Sequence, residues 1–148
     1  MARPTQSVSQ LSIEKFYNAA NKDNMRELVG QFYDENVVFQ DPVGKIQGRE
    51  NLTDYYLHLY KNIKSIRFEI KKKIQQGDEL VAFWKMFMKF PGLNYGNEVT
   101  VEGVSQFKFK DGRAIYHRDY FDLGEMVYEQ IPVFGKIIKT MKSRMAKY

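Results

Sequence analysis

The sequence predicts an α+β fold: a curved antiparallel sheet packed as a cone on three N-terminal helices, with an amphipathic helix after the sheet. Three observations predict it. Apolar residues recur at helical spacing up to Ile63 and switch to period two from Ile66 to Phe121. Asp111-Gly112 sits between two alternating runs as a hairpin turn. Beyond Gly124 the helical spacing returns.

The elements follow in order. Leu11 to Ala20 reads as a helix with Ile13, Phe16, Tyr17 and Ala20 on one face. Asp23 or Asn24 suits the start of a second helix, and Asn24 to Glu27 has the spacing of a capping box. Leu28, Val29, Phe32 and Tyr33 form its inward stripe. Val37 to Gln40 reads as a short strand, and Gly48 to Lys61 as a third helix with Leu52, Tyr55, Tyr56, Leu59 and Ile63 facing inward. Ile66, Phe68 and Ile70 then alternate with charged residues. Gln76-Gly-Asp78 marks a hairpin before Leu80 to Phe90, a strand whose middle is too apolar for a wet face. Val99 to Lys110 places Val99, Val101, Gly103, Ser105, Phe107 and Phe109 on one side. Its partner, Ala114 to Asp122, places Ile115, His117, Asp119 and Phe121 on one side. Gly92 and Gly96 suit a loop at the mouth of a cavity. Pro132 is well placed to start a last helix, with Phe134, Ile137, Ile138, Met141 and Met145 as its apolar positions.

Composition bounds the function. A chain of 148 residues makes one domain, here 1–148, with a core at 10–122 and a basic helical extension at 124–148. The absence of cysteine excludes a disulfide framework, thiolate metal sites and a cysteine nucleophile. Met1 to Gln10 is polar, without the apolar centre of a secretory signal, and no run approaches the roughly 20 apolar residues that span a bilayer. A soluble cytoplasmic protein is expected. The net charge of +5 is concentrated in Lys136, Lys139, Lys142, Arg144 and Lys147; without them 18 basic side chains face 18 acidic ones. That balance argues against nucleic acid as a partner. There is no glycine-rich phosphate loop, His-rich metal pattern or nucleophile elbow, so neither metal nor cofactor is expected.

The segment from Phe32 to Gly44 runs aromatic and β-branched residues straight into a carboxylate, Asp41, and Pro42 ends it. A carboxylate entering an apolar interior loses solvation and suits proton abstraction. Asp-Pro is equally a common start for a turn. High aromatic content, 10 Tyr and 11 Phe, suits a core holding hydroxyl networks or lining a pocket.

Tyr17 precedes Asp41 by 24 positions, and Asp41-Pro42-Val43-Gly44 follows in one ungapped stretch. In this the chain resembles ketosteroid isomerases within the nuclear transport factor 2-like, cystatin-like superfamily; with small gaps the likeness covers most of residues 10–122. The resemblance implies Asp41 as the base, Tyr17 as donor to an enolate oxygen, and Tyr33 and Tyr56 as supporting tyrosines. It implies a cavity lined by residues such as Phe121, Phe107 and Trp84, an apolar small-molecule ligand, and a homodimer.

Two departures qualify it. Ser105 stands where the isomerases carry a protonated aspartate, and losing one such donor costs about 10²–10³ in rate. His117 and Asp119 occupy positions that are mostly apolar in the isomerases. They read either as an added acid/base pair, similar to SnoaL-type polyketide cyclases, or as part of a structural network. Arg118 to Asp122 also resembles limonene epoxide hydrolase, but Ala82 to Phe90 offers Lys85, Met86 and Met88 and no aspartate. The paired histidines of scytalone dehydratase find only His58 and His117, with His58 on the outer helix face.

The expected activity is cofactor-free proton transfer on a steroid- or polyketide-like carbonyl compound, as an isomerase or cyclase. The alternative is a non-catalytic carrier or sensor of apolar ligands. The basic last helix fits either docking over the cone or a partner, or contact with an anionic membrane surface.

Overall fold

The computed structural model describes residues 12–147; the polar lead, Leu11 and Tyr148 lie outside the described residues. The order is α1 (Ile13–Ala19), α2 (Met25–Phe32), β1 (Tyr33–Gln40), β2 (Lys45–Gln47), α3 (Arg49–Asn62), β3 (Ser65–Gln76), β4 (Glu79–Lys89), β5 (Val99–Lys110), β6 (Arg113–Phe121), α4 (Leu123–Met126) and α5 (Pro132–Met145). Single 3₁₀ turns stand at Asn94–Gly96 and Tyr128–Gln130. The six strands form one sheet in the order β2-β1-β6-β5-β4-β3. Four of its five pairings are antiparallel, whereas β1 runs parallel to β6.

Local chemistry explains the boundaries. Ser12 caps α1 by accepting the Lys15 amide at 3.2 Å. The β5–β6 turn is the predicted Asp111-Gly112, and both residues have positive φ (52° and 79°), as a two-residue turn matching the sheet twist requires. Register shifts in β1–β6, β3–β4 and β5–β6 mark bulges. Bulges bend the strands they occupy and so help curve the sheet over the helices. At one edge β2 has only three residues, and at the other β3 carries Lys71, Lys72 and Lys73. Short and charged edges both discourage pairing with other chains.

The core lies between the helices and the inner face of the sheet. Ile13, Phe16 and Tyr17 from α1, Met25, Val29 and Phe32 from α2, and Leu52 and Tyr56 from α3 are buried against it. Phe16 stacks on Phe32 at 4.9 Å between ring centroids, and Phe32 meets Phe107 edge-on at 5.6 Å. Each such ring contributes about 1.5–3 kcal/mol through burial. Gly103 is required by this packing. A Cβ there would stand 2.3 Å from the Trp84 ring on the paired strand, so any side chain must displace the indole.

Several sequence expectations need correction. β1 begins at Tyr33, not Val37, because Tyr33 already has extended backbone (φ −107°, ψ 145°). Tyr33, Val37 and Phe39 face the core across an irregular register. β2 was not foreseen, since three residues are too few to show a period. The Asn24–Glu27 capping box does not form. The Asn24 side chain instead bonds backward, accepting from the Asn21 amide and donating to the Ala19 carbonyl, each at 2.7 Å. In β6 a register shift puts Ala114 fully inside and leaves Ile115 only partly buried. The Pro91–Gly96 loop does not frame the cavity; Asn94 and Tyr95 line a surface groove beside α5. The outer face of β4 is half-exposed in the single chain, with Phe83 38% accessible.

Candidate active site

The inner face of the sheet and the first and third helices enclose an apolar cavity of about 130 Å³. Its walls are mostly Phe16, Ile66, Phe68, Trp84, Met86, Met88 and Phe121, and two carboxylates, Asp41 and Asp119, face it. A surface depression of about 380 Å³ is lined in part by Asp41, Asp119 and Phe121 as well. The carboxylates therefore stand where the interior meets the surface. Tyr17, Trp84 and Phe121 line the cavity. Phe107 does not: it is fully buried behind His117, its ring centroid 4.2 Å from the imidazole.

Beneath the cavity lies one connected hydrogen-bond network. His117 is fully buried, brought inside by the inward register of β6 opposite Phe107. Its Nε2 is 2.6 Å from Asp119 Oδ1 and its Nδ1 is 2.7 Å from the Tyr33 hydroxyl. A carboxylate only accepts, so Nε2 carries the hydrogen, and in the neutral ring Nδ1 accepts from Tyr33. Tyr33 in turn accepts from Tyr56 at 2.9 Å. On the other branch Ser105 donates to Asp119 Oδ1 at 2.5 Å and accepts from Trp84 Nε1 at 2.8 Å. Tyr17, 2.7 Å from Ser105, then donates to it as well, with His117 Nε2 a longer contact at 3.3 Å. Ser105 thus joins the network as a relay between two aromatic donors and Asp119.

The two carboxylates differ in how they are held. Asp41 directly follows β1, opens a turn with its amide donating to the Gly44 carbonyl, and is one of the residues lining the cavity. Its Oδ1 accepts the amides of Val43 and Gly44 at 2.8 and 3.0 Å, and its Oδ2 accepts the Tyr55 hydroxyl at 2.5 Å. Asp119 has all its partners on Oδ1. Among the described residues no hydrogen bond reaches its Oδ2, and its side chain keeps 18% exposure at the cavity mouth.

Burial shapes the phenols. Tyr17 and Tyr56 are pushed well above the ordinary phenol range by burial and then by the nearby charge of Asp119. Tyr33 is raised by burial and then by Tyr56. Tyr55 is raised by burial and by its bond to Asp41. Tyr60, also on the cavity wall, is pushed up to about 12 by burial and by Asp119. Its hydroxyl has no hydrogen-bond partner among the described residues. Tyr55 and Tyr60 are the site residues that the sequence reading missed. Tyr60 follows Tyr56 by four positions, so helical spacing was an available signal. His58, between them, is exposed on the outer face as expected. Among the described residues no cluster of His, Asp or Glu has the makings of a metal site.

Comparisons with known proteins agree with this architecture. A family model described as SnoaL-like domain matches residues 13–117. The chain is similar in fold to a nuclear transport factor 2-like protein of unknown function from Burkholderia pseudomallei (TM-score 0.70, 20% identity, 82% of this chain and 95% of that one). It is also similar to a protein with a ketosteroid isomerase-like fold from Catenulispora acidiphila, bound to trimethylamine (TM-score 0.69, 15% identity, 86% and 94%). A third is an LEH-like epoxide hydrolase from M. tuberculosis (TM-score 0.64, 17% identity, 92% and 93%). No curated protein sequence matches. At these identities the structures speak for the fold alone, while the family model spans α1 through the middle of β6. The chain belongs to the SnoaL-like domain family.

Proposed function

We propose that this SnoaL-like domain binds a small apolar carbonyl compound and catalyses a proton transfer next to the carbonyl without a cofactor. The observation that carries it is the asymmetry of Asp119, a residue of the cavity wall, with Oδ1 held by Ser105 and His117 and Oδ2 without a hydrogen bond among the described residues. A carboxylate fixed on one oxygen and free on the other is positioned to take a proton. In the proposed step Oδ2 removes a proton from the carbon beside the carbonyl. The C–H electron pair moves into the new C=C bond and charge collects on the oxygen as an enolate. Asp119 then returns the proton at another carbon.

The enolate oxygen needs a donor. Tyr17 gives its hydrogen to Ser105, whereas the Tyr60 hydroxyl has no hydrogen-bond partner among the described residues and, like any phenol of raised pKa, carries its proton. Tyr60 is therefore assigned that role. Asp41, with both oxygens engaged, holds Tyr55 and the β1 turn at the mouth. The size of the cavity limits the substrate: apolar cavities of about 150 Å³ take up a benzene-sized molecule. A single-ring ketone, or the ring end of a polyketide chain, fits better than a four-ring steroid.

The test is turnover and deuterium exchange on a panel of single-ring conjugated ketones. Asp119→Asn is expected to lower kcat by about 10²–10⁴ with circular dichroism unchanged, and Asp41→Asn to lower it far less. The reverse ranking would return the base to Asp41. No exchange with any ketone would leave a carrier of apolar ligands as the better reading.

The reading extends to assembly as a homodimer. Phe83, Val104 and Tyr120 sit side by side across β4, β5 and β6 on the outer face, where Phe83 and Tyr120 are exposed. A second copy packing there would cover them. Sedimentation velocity is expected to show a dimer that Phe83→Arg converts to monomer; a monomeric wild-type chain would exclude this pairing.

A further inference from the structure

The helix α5 leaves its apolar side uncovered. Exposure of Val133, Phe134, Ile137, Met141 and Met145 runs from 51% at Ile137 to 78% at Met145. The spacing of these residues places them on one stripe of the helix. The roll that exposes them is fixed on the opposite side. Gly135 presses on the Glu129 backbone so closely that a Cβ would stand 2.3 Å from its carbonyl oxygen. Lys142, seven residues on and hence on the same face as Gly135, bonds Glu129 at 3.0 Å and Asp122 at 3.5 Å. Contacts on that face hold α5 to the body while the apolar stripe points away.

Charge identifies what covers the stripe. Residues 130–147 contain no acidic side chain. Lys136, Lys139, Arg144 and Lys147 are exposed and make no ion pair among the described residues. Two copies joined stripe to stripe would bring like charges together. A nucleic acid would match the charges and leave the apolar residues in water. A bilayer with anionic headgroups satisfies both sets at once. At 14 residues α5 is about 21 Å long, and no described helix is long and apolar enough to cross a membrane. We propose that α5 lies in the plane of anionic lipid surfaces, with Phe134, Ile137 and Met141 at the acyl boundary and the basic residues among the headgroups.

The test is co-sedimentation of the full chain with phosphatidylcholine vesicles, with and without phosphatidylserine. Binding is expected only with phosphatidylserine. Each basic residue near such a surface strengthens partitioning about fivefold, so Lys136→Glu with Lys139→Glu and Arg144→Glu should weaken binding about a hundredfold or more. Phe134→Ser with Ile137→Ser and Met141→Ser, all at exposed positions, should keep the circular dichroism and also lose binding. The proposal is overturned by no binding, by equal binding to both vesicle types, or by binding that survives loss of the stripe. Lipid-free self-association abolished by the serine variant would assign the stripe to a second copy instead.

Discussion

Replacing His117 by leucine is expected to lower the free energy of unfolding by about 3–5 kcal/mol, more than any other single change in the network. The imidazole is fully buried among Phe107, Phe39 and Tyr33 and links both branches of the hydrogen-bond chain. Leucine fills much of the volume, so the loss comes from what it strands. Tyr33 loses the acceptor for its hydrogen, and Asp119 loses its shortest nitrogen donor in a poorly solvated position. The cost therefore depends on the presence of a carboxylate. His117→Leu combined with Asp119→Leu should be less destabilised than the sum of the single variants by about 1–3 kcal/mol. Urea denaturation of the four proteins measures this cycle. A single-variant loss below about 1 kcal/mol, or additive effects, would show that the network holds without its histidine.

The fold was largely legible because its elements obey simple periods. The switch from Ile63 to Ile66 marks where helix gives way to sheet, and Asp111-Gly112 marks a hairpin with the geometry those residues favour. What period could not show was interruption. Tyr33 reads equally well as the end of a helical stripe or the start of a strand, and only packing across β6 decides. The bulge that turns Ala114 inward, not Ile115, is set by the partner strand, which no local pattern in β6 reports. For the site, sequence brought forward Tyr17, Tyr33, Tyr56, Ser105, His117 and Asp119, and the structure joins these six in one network. It did not show that Ser105 ties Tyr17 to Asp119, because residues 88 positions apart share a bond only through the fold. Nor did it show that Asp41 is engaged on both oxygens. Val43 and Gly44 were adjacent and readable as a turn, but Tyr55 arrives from α3.

Raising the pH above about 10 is expected to unfold the protein abruptly, because it folds around phenols that must remain protonated. Tyr17, Tyr33, Tyr55, Tyr56 and Tyr60 all have folded pKa values raised above the ordinary value of 10.0, with burial the leading cause. A raised folded value gives stability that is fully present below the unfolded pKa and is lost as pH climbs toward the folded one. The window thus opens near pH 10, where the unfolded chain releases protons that the native state retains. Each deeply buried group then removes about 1.4 kcal/mol per pH unit, so Tyr17, Tyr33, Tyr56 and Tyr60 together remove roughly 6 kcal/mol by about pH 11, and the partly exposed Tyr55, screened by solvent, adds less. Domains of this kind have only about 5–15 kcal/mol to lose, so most or all of that stability should be gone by about pH 12. Tyrosinate absorbance and far-ultraviolet ellipticity followed together should show one shared transition, steeper than a one-proton titration. Tyr60→Phe should make it shallower by one proton. Ellipticity that persists while these phenols ionise one by one would mean that the network admits water and charge. The dry, protonated floor beneath Asp119 would then be ruled out.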